Sequence, residues 1–389
     1  MSKQNPDLRM MVGETTGAVK GGGGGRNGKN ERRAHGEGWI GRDEIAASKE
    51  ARPSVVKADS RERFPEGERT YYNVPLLKKA HWGWEIYVYF YLGGIAGGSY
   101  LVSTLADLLD IKKAGEVIRA GRYLSLVCMM VSPLLLIKDL GRPGRFHHML
   151  RVLKFRSAMS LGTWGLTAFG MVCGVTAGKQ MACDGLLSWF PLVSRCMKAL
   201  PVKVIESVGA VCGLFVASYT GVLLSSTAVP MWARAKYVLA PLFLSSALST
   251  GLASLSLLVM VRGKEEQEIR ERLENAEIVA MASELSLLAF LPRVLGPLGE
   301  PLFKGHLGTL FKVGTLGGGV MLPLLARVGW KAMGRQMPRG VDVGVCMLVL
   351  VGGMVLRYGW IVGGRGSADD VEAIHHYNRV EWEGRRRRG

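Results

Sequence analysis

Apolar residues in this chain gather in runs of roughly 20, the length an α-helix needs to cross a bilayer, separated by charged or Pro/Gly-rich breaks. Eight such runs follow one another: Trp84 to Leu109, Tyr123 to Ile137, Ala158 to Ala177, Val204 to Ser226, Tyr237 to Val261, Ala276 to Leu295, Leu310 to Val328 and Val341 to Val362. The second is short, and the sixth carries Glu277 and Glu284. Residues 1–80 are of another kind: polar, charged with both signs and interrupted by five glycines at Gly21 to Gly25. Such a composition cannot bury enough apolar surface to offset ordering and predicts a disordered, basic tail. It has no apolar h-region, so no cleavable secretory signal is expected. Residues 365–389 form a second polar, basic tail ending in four arginines, suited to anionic headgroups. The pattern therefore predicts an all-α integral membrane protein, a bundle of about eight transmembrane helices over residues 81–364. An even number of spans puts both tails on one side. Lys and Arg crowd the connections on both sides, so the positive-inside rule gives no orientation.

Composition narrows the chemistry. The chain is 48% hydrophobic and yet has a formal net charge of +18 over 389 residues. Its Lys and Arg lie between apolar runs, with no basic stripe interleaved with aromatics, which argues against nucleic acid as a partner. Six cysteines occur without a C-x-x-C pair, so no iron-sulfur cluster or structural zinc of the chain's own is expected. Cys183 and Cys196 share one connection, either as a disulfide or as two free thiols. The seven histidines, His35, His81, His147, His148, His306, His375 and His376, lie in tails, loops or span edges. Paired axial ligands for a b-type haem at membrane depth are thus missing.

The first span, HWGWEIYVYFYLGGIAGGSYL, keeps a glutamate just inside its edge. Glu85 and Tyr89 are one helical turn apart and share a face; Tyr100 and Asp107 follow further along. An ionisable group at the centre of a span costs about 2.5–3.5 kcal/mol on insertion scales, less near the edge, and is usually buried against protein or a polar cavity. Glu85 is thus a candidate proton-handling group. The competing reading is an interfacial belt of Trp82, Trp84, Tyr87, Tyr89 and Tyr91 with Glu85 snorkelling. GGIAGG superposes two small-xxx-small pairs, Gly93 with Gly97 and Gly94 with Gly98, a signal for close helix packing. Glu206, Glu277 and Glu284 make a candidate proton path, or are each satisfied by a neighbouring helix, the more frequent fate of intramembrane polar groups. The connection KDLGRPGRFHHMLRVLKFRSAMSLGTW joins a Gly-Arg-Pro turn to an apolar patch and alternating arginines, as a partner-docking surface would. Asp139 within it is either a second proton acceptor or the partner of Arg142, and the ion pair is the favoured expectation.

These residues resemble the NrfD-type membrane subunits of polysulfide reductase-like complexes. The resemblance rests on WEIYVYFYLGGIAGGSYL, on DLGRPGRFHHMLRVLKFRSAMSLGTWGLTAFG and on SYTGVLLSSTAVPMWARAKYVLAPLFLSSALSTG, and covers roughly His81 to Val362. It implies an eight-helix bundle in the cytoplasmic (inner) membrane that binds quinone or menaquinone, has no metal or covalent cofactor of its own, and exchanges electrons with the clusters of a ferredoxin-like iron-sulfur subunit. That partner would pass electrons to or from a molybdopterin or multihaem cytochrome subunit. The chain would then be one subunit of a respiratory oxidoreductase and not a complete enzyme. By the same resemblance Glu85 and Tyr89 take the quinone-contacting positions, a carboxylate and a phenol where family members have an amide and an imidazole. Tyr219 corresponds to a further contact. Arg142, Arg145, Phe146 and His147 mark the docking surface. The rival reading is a membrane anchor or assembly scaffold with no quinone chemistry. A secondary transporter would need paired broken helices; Gly317–Gly319 and Pro323 could break the seventh span, but the first half has no matching interruption.

Overall fold

The computed structural model describes residues 82–263 and 266–369; the tails read above from residues 1–80 and beyond 369 lie outside them. Eight long helices run up and down in sequence order. They are α1 (Trp84–Leu108), α2 (Gly115–Lys138), α3 (Ala158–Cys183), α4 (Val202–Ser225), α5 (Lys236–Arg262), α6 (Gln267–Leu295), α7 (Gly305–Ala332) and α8 (Arg339–Asp369). No strand occurs among the described residues. The end of the bundle at which α1 begins is the near side here, and the other end the far side. The Arg-rich connection between α2 and α3 lies on the near side.

Seven of the helices are long and apolar enough to span a membrane by length and composition, namely all but α1. With 25 residues α1 is about 37 Å long, sufficient to cross. Its lower hydropathy follows from its place at the centre of the bundle, packed on α2, α4, α5 and α8. A helix surrounded by protein can use Gly, Ser and Tyr where a lipid-facing helix needs Leu and Val. The glycine pairs separate by face. A Cβ on Gly97 would fall 2.7 Å from the Gly213 carbonyl oxygen and 3.0 Å from the Ala217 Cβ of α4. One on Gly98 would overlap the Ala247 carbonyl of α5. Each small-residue stripe therefore seats a different helix.

Most span limits match the apolar runs to within a few residues. Two depart: α2 begins at Gly115, not Tyr123, and α6 at Gln267, not Ala276. The added turns carry Glu116, Arg119, Arg122, Arg270 and Glu274, which pair with groups on other helices or at their ends and so are tolerated inside long helices. At the other end of the sequence α8 continues past Gly364 to Asp369. In α7 the Gly-rich stretch does not break the helix. Phe311–Met321 winds as a π-helix between α-helical ends, and Gly319 meets Gly352 of α8 backbone to backbone.

Candidate functional site

At the near side, Gly83 precedes α1 and its N–H donates to Asp139 Oδ1, 3.2 Å away, at the end of α2. The first backbone N–H groups of a helix lack intrahelical acceptors, and an acidic side chain there also favours the helix dipole. The Glu85 carboxylate folds back against Gly83, and Lys138 Nζ lies 3.3 Å from Glu85 Oε1. The same ammonium sits 4.5 Å above the Trp84 ring. Glu85, Asp139 and Lys138 therefore form one cluster at the start of α1. Asp139 does not pair with Arg142, as the sequence suggested; its partners are the Gly83 N–H and the electrostatic field of Glu85 and Arg365. Burial pushes its carboxyl up, the Gly83 hydrogen bond pulls it down, Glu85 raises it and Arg365 lowers it, leaving it above its ordinary value.

Tyr89, one turn on, is buried, and the phenol of Tyr219 on α4 is its electrostatic neighbour. Tyr219 donates to the Ala158 carbonyl at the start of α3 and stacks on Phe215 with ring centroids 5.0 Å apart. Of the aromatics expected to form a belt, only Trp84 is half exposed. Trp82 stacks on Trp232 at 5.2 Å, and Tyr87 meets Tyr358 edge-on at 5.4 Å. The aromatic run is mainly internal packing.

A cavity of about 110 Å³ lies between α2, α3 and the segment Pro143–Leu150, a short 3-10 helix. Pro133, Ile137, Phe146, Leu150 and Leu166 line it, with the hydroxyl-bearing Thr163 and Thr167. Glu85, Tyr89 and Tyr219 are not in its wall, although Ile137 adjoins Lys138 in sequence and Gly162 underlies the Tyr219 ring. Above the cavity, Arg142, Arg145, Phe146, His147, Arg151, Lys154, Phe155 and Arg156 are all exposed, and among the described residues no carboxylate pairs with these arginines. Phe155 is 77% exposed, too apolar for an ordinary solvated loop.

The carboxylates deeper in the bundle fall into two separate groups, each anchored at the far side. In the first, Glu206 of α4 binds Arg122 of α2 at 2.6 Å; the same guanidinium reaches Asp107 of α1 and Gln180 of α3, each at 2.7 Å. In the second, Glu277 of α6 binds Arg327 of α7 at 2.6 Å and accepts from Ser256 of α5 at 2.8 Å. Arg327 also binds Asp342 of α8 at 2.8 Å, and Arg270 takes the other Asp342 oxygen at 2.8 Å. Glu284 accepts from Ser249 of α5 at 2.7 Å, and Arg357 of α8 bonds Ser246 over the face of Phe243, 5.6 Å away. Glu206 thus shares no partner with Glu277 or Glu284. The seven-residue spacing of Glu284 and Glu277 is answered on antiparallel α5 by Ser249 and Ser256, also seven apart. That matching period was available in the sequence; Arg327 and Arg357, single arginines in apolar runs, carried no such signal.

Cys183 and Cys196 are both free and exposed. Among the described residues no cluster of His, Cys, Asp or Glu is arranged to hold a metal ion.

Residues 74–365 match the family described as polysulphide reductase, NrfD. The NrfD homolog of Haemophilus influenzae is 28% identical over 269 residues, covering 64% of this protein and 83% of that one. The polysulfide reductase C-chain of Wolinella succinogenes is 29% identical over 304 residues, covering 71% and 92% of the two proteins. Protein NrfD of Escherichia coli is 25% identical over 298 residues, again 71% and 92%. The family match takes in all eight long helices, the last as far as Arg365, and the chain, a multi-pass membrane protein, belongs to the NrfD polysulphide reductase family.

Proposed function

We propose that this protein is the quinone-exchanging membrane subunit of a multi-subunit reductase, passing electrons between the quinone pool and a docked iron-sulfur subunit. The observation that carries the reading is the near-side cluster. A carboxylate and a buried phenol one turn apart lie at the same end of the bundle as an exposed arginine and aromatic surface that no carboxylate among the described residues neutralises, and near an apolar cavity. Quinol oxidation releases two electrons and two protons. It therefore calls for an apolar slot, hydrogen-bond partners for the ring oxygens and a titratable group leading to water. Glu85 is the titratable group and Tyr89 the hydrogen-bond partner, with Tyr219 behind them; the α2–α3 cavity, whose wall none of the three reaches, is the apolar surface nearby. Arg142, Arg145, Phe146 and His147 form part of the surface on which the iron-sulfur subunit docks. Relatives named as the C-chain of a polysulfide reductase and the C-subunit of a selenate reductase support assembly with other reductase subunits, of which a molybdopterin or multihaem protein would be the catalytic one.

Glu277 and Glu284 are assigned to a proton route through the second half of the bundle, separate from the path of the quinol's own protons. Seven residues separate them, about 10 Å along the helix. Glu206, held in the other far-side group, belongs to a separate branch of that assignment.

The test is saturable binding of a fluorescent quinone analogue to the purified protein. Binding that weakens in both Glu85→Gln and Tyr89→Phe supports the reading. A folded wild type with no saturable binding, alone or assembled with its partner subunits, overturns it in favour of a membrane anchor.

A further inference from the structure

Lys138 and Asp139 close α2 beside the start of α1, and the two side chains treat Glu85 differently. The Lys138 ammonium pairs with Glu85 and is itself 61% exposed, whereas the Glu85 side chain is only 14% exposed. Asp139 is half buried, and a Cβ on Gly83 would overlap Glu85 Oε2 and fall 3.4 Å from Asp139 Oδ1. The two carboxylates thus meet at a single glycine. Among the described residues, the charged groups around them are Lys138 from α2 and Arg365 from α8.

We infer that Asp139 is the proton relay between Glu85 and water on the near side, so that the site exchanges its protons on the face where the arginine-rich connection lies. The inference rests on the quinone reading above. Oxidation of a quinol to a quinone releases two electrons, which go to the iron-sulfur clusters of the docked subunit, and two protons. Each proton passes from a ring hydroxyl to the Glu85 carboxylate, then to Asp139, then to water, and both carboxylates end as they began. In quinone reduction the same steps run backwards. Three features suit Asp139 to this role. It adjoins Glu85 across one glycine with no helix between them. Its carboxyl, raised above the ordinary carboxylate value, accepts a proton more readily than an exposed aspartate. Lys138, beside Glu85, offsets the negative charge that two neighbouring carboxylates would otherwise build up between proton transfers.

The bland role for Asp139 is structural: it accepts the Gly83 N–H and caps α1. Asn at this position keeps an acceptor oxygen and so keeps the cap, but cannot carry a proton. The experiment measures steady-state turnover with a soluble quinol in the assembled complex, and analogue binding, for wild type, Asp139→Asn and Asp139→Glu. A relay predicts that Asp139→Asn loses about tenfold or more in kcat, with KM and analogue binding within about twofold of wild type. Asp139→Glu recovers most of the rate. Unchanged kcat in Asp139→Asn overturns the relay. So does a parallel loss of analogue binding, or failure of Asp139→Glu to restore the rate, since either marks a structural residue. Failure of the wild type to bind the analogue is a different result, and it overturns the quinone reading itself.

Discussion

The two halves of the bundle, α1–α4 and α5–α8, are closed at the far side by the same device made of different parts. In each, one guanidinium centres a polar network that joins four helices. Arg122 gathers Asp107, Gln180 and Glu206 from α1, α3 and α4. Arg327 holds Glu277 of α6 and Asp342 of α8, and Glu277 in turn holds Ser256 of α5. The arginine comes from the second helix of the first half and from the third helix of the second, so the likeness lies in the tie and not in aligned positions. The larger difference is depth. Asp107 has 21% of its side chain exposed, and nearby polar groups such as Asp110 and Lys203 reach solvent. Arg327, Glu277 and Asp342 are almost wholly enclosed, and polar side chains continue inward through Glu284 and Ser249 to Arg357. Charge at an interface is a fastening. Charge carried inward costs desolvation, and such groups inside a membrane are usually functional.

Removing the arginines should separate the two cases. Arg327→Met leaves Glu277 without its enclosed countercharge and Asp342 with Arg270 alone, and should cost about 3–5 kcal/mol, read as a large drop in the thermal midpoint of the detergent-solubilised protein. Arg122→Met, at the better solvated cluster, should cost about 1–3 kcal/mol; equal losses would erase the distinction between the halves. A smaller effect is expected from the serines. Ser249→Ala and Ser256→Ala each remove one hydrogen bond to a buried carboxylate, about 1–2 kcal/mol apiece. Placed seven residues apart, they should be nearly additive; strong coupling would mean that Glu277 and Glu284 act as one unit.

Smaller again is Asp184, beyond the end of α3. Burial alone would raise its carboxyl, but hydrogen bonds from Tyr123 and Gln180, with the charge of Arg119, outweigh burial and hold it below the ordinary value. A carboxyl depressed in the folded state stabilises above its unfolded pKa, and the contribution fades as pH falls through the folded value. Asp184→Asn should therefore lower the midpoint at neutral pH and match wild type in strong acid. The least perturbing test is chemical: Cys183 and Cys196, both free and exposed, should each take up a maleimide without prior reduction, leaving the fold unchanged.

The sequence was most legible where a single physical scale governs. Apolar run length located the spans, and small-residue spacing marked α1 as a packing helix, though only the fold assigns Gly97 to α4 and Gly98 to α5. It was least legible where distant charges cancel. The early turns of α2 and α6 read as connections because Arg122 and Glu274 look solvated until Glu206 and Arg327 are brought beside them. The Asp139 environment was misread for a related reason: sequence proximity favoured Arg142, while the fold returns Gly83, 56 positions earlier in the sequence, to its carboxylate. The Glu85–Tyr89 spacing was plain, whereas the cavity beside it depends on how the Pro143–Leu150 segment folds over α2 and α3.

The π-helical stretch of α7 has a consequence for the bilayer itself. Wound wholly as an α-helix, the 28 residues from Gly305 to Ala332 would be about 42 Å long, well beyond a hydrocarbon core of about 30 Å. Wider turns climb less per residue, so Phe311–Met321 draws the span in along its axis. The winding of α7 thus brings a long span closer to the bilayer thickness, a form of relief from hydrophobic mismatch distinct from tilting.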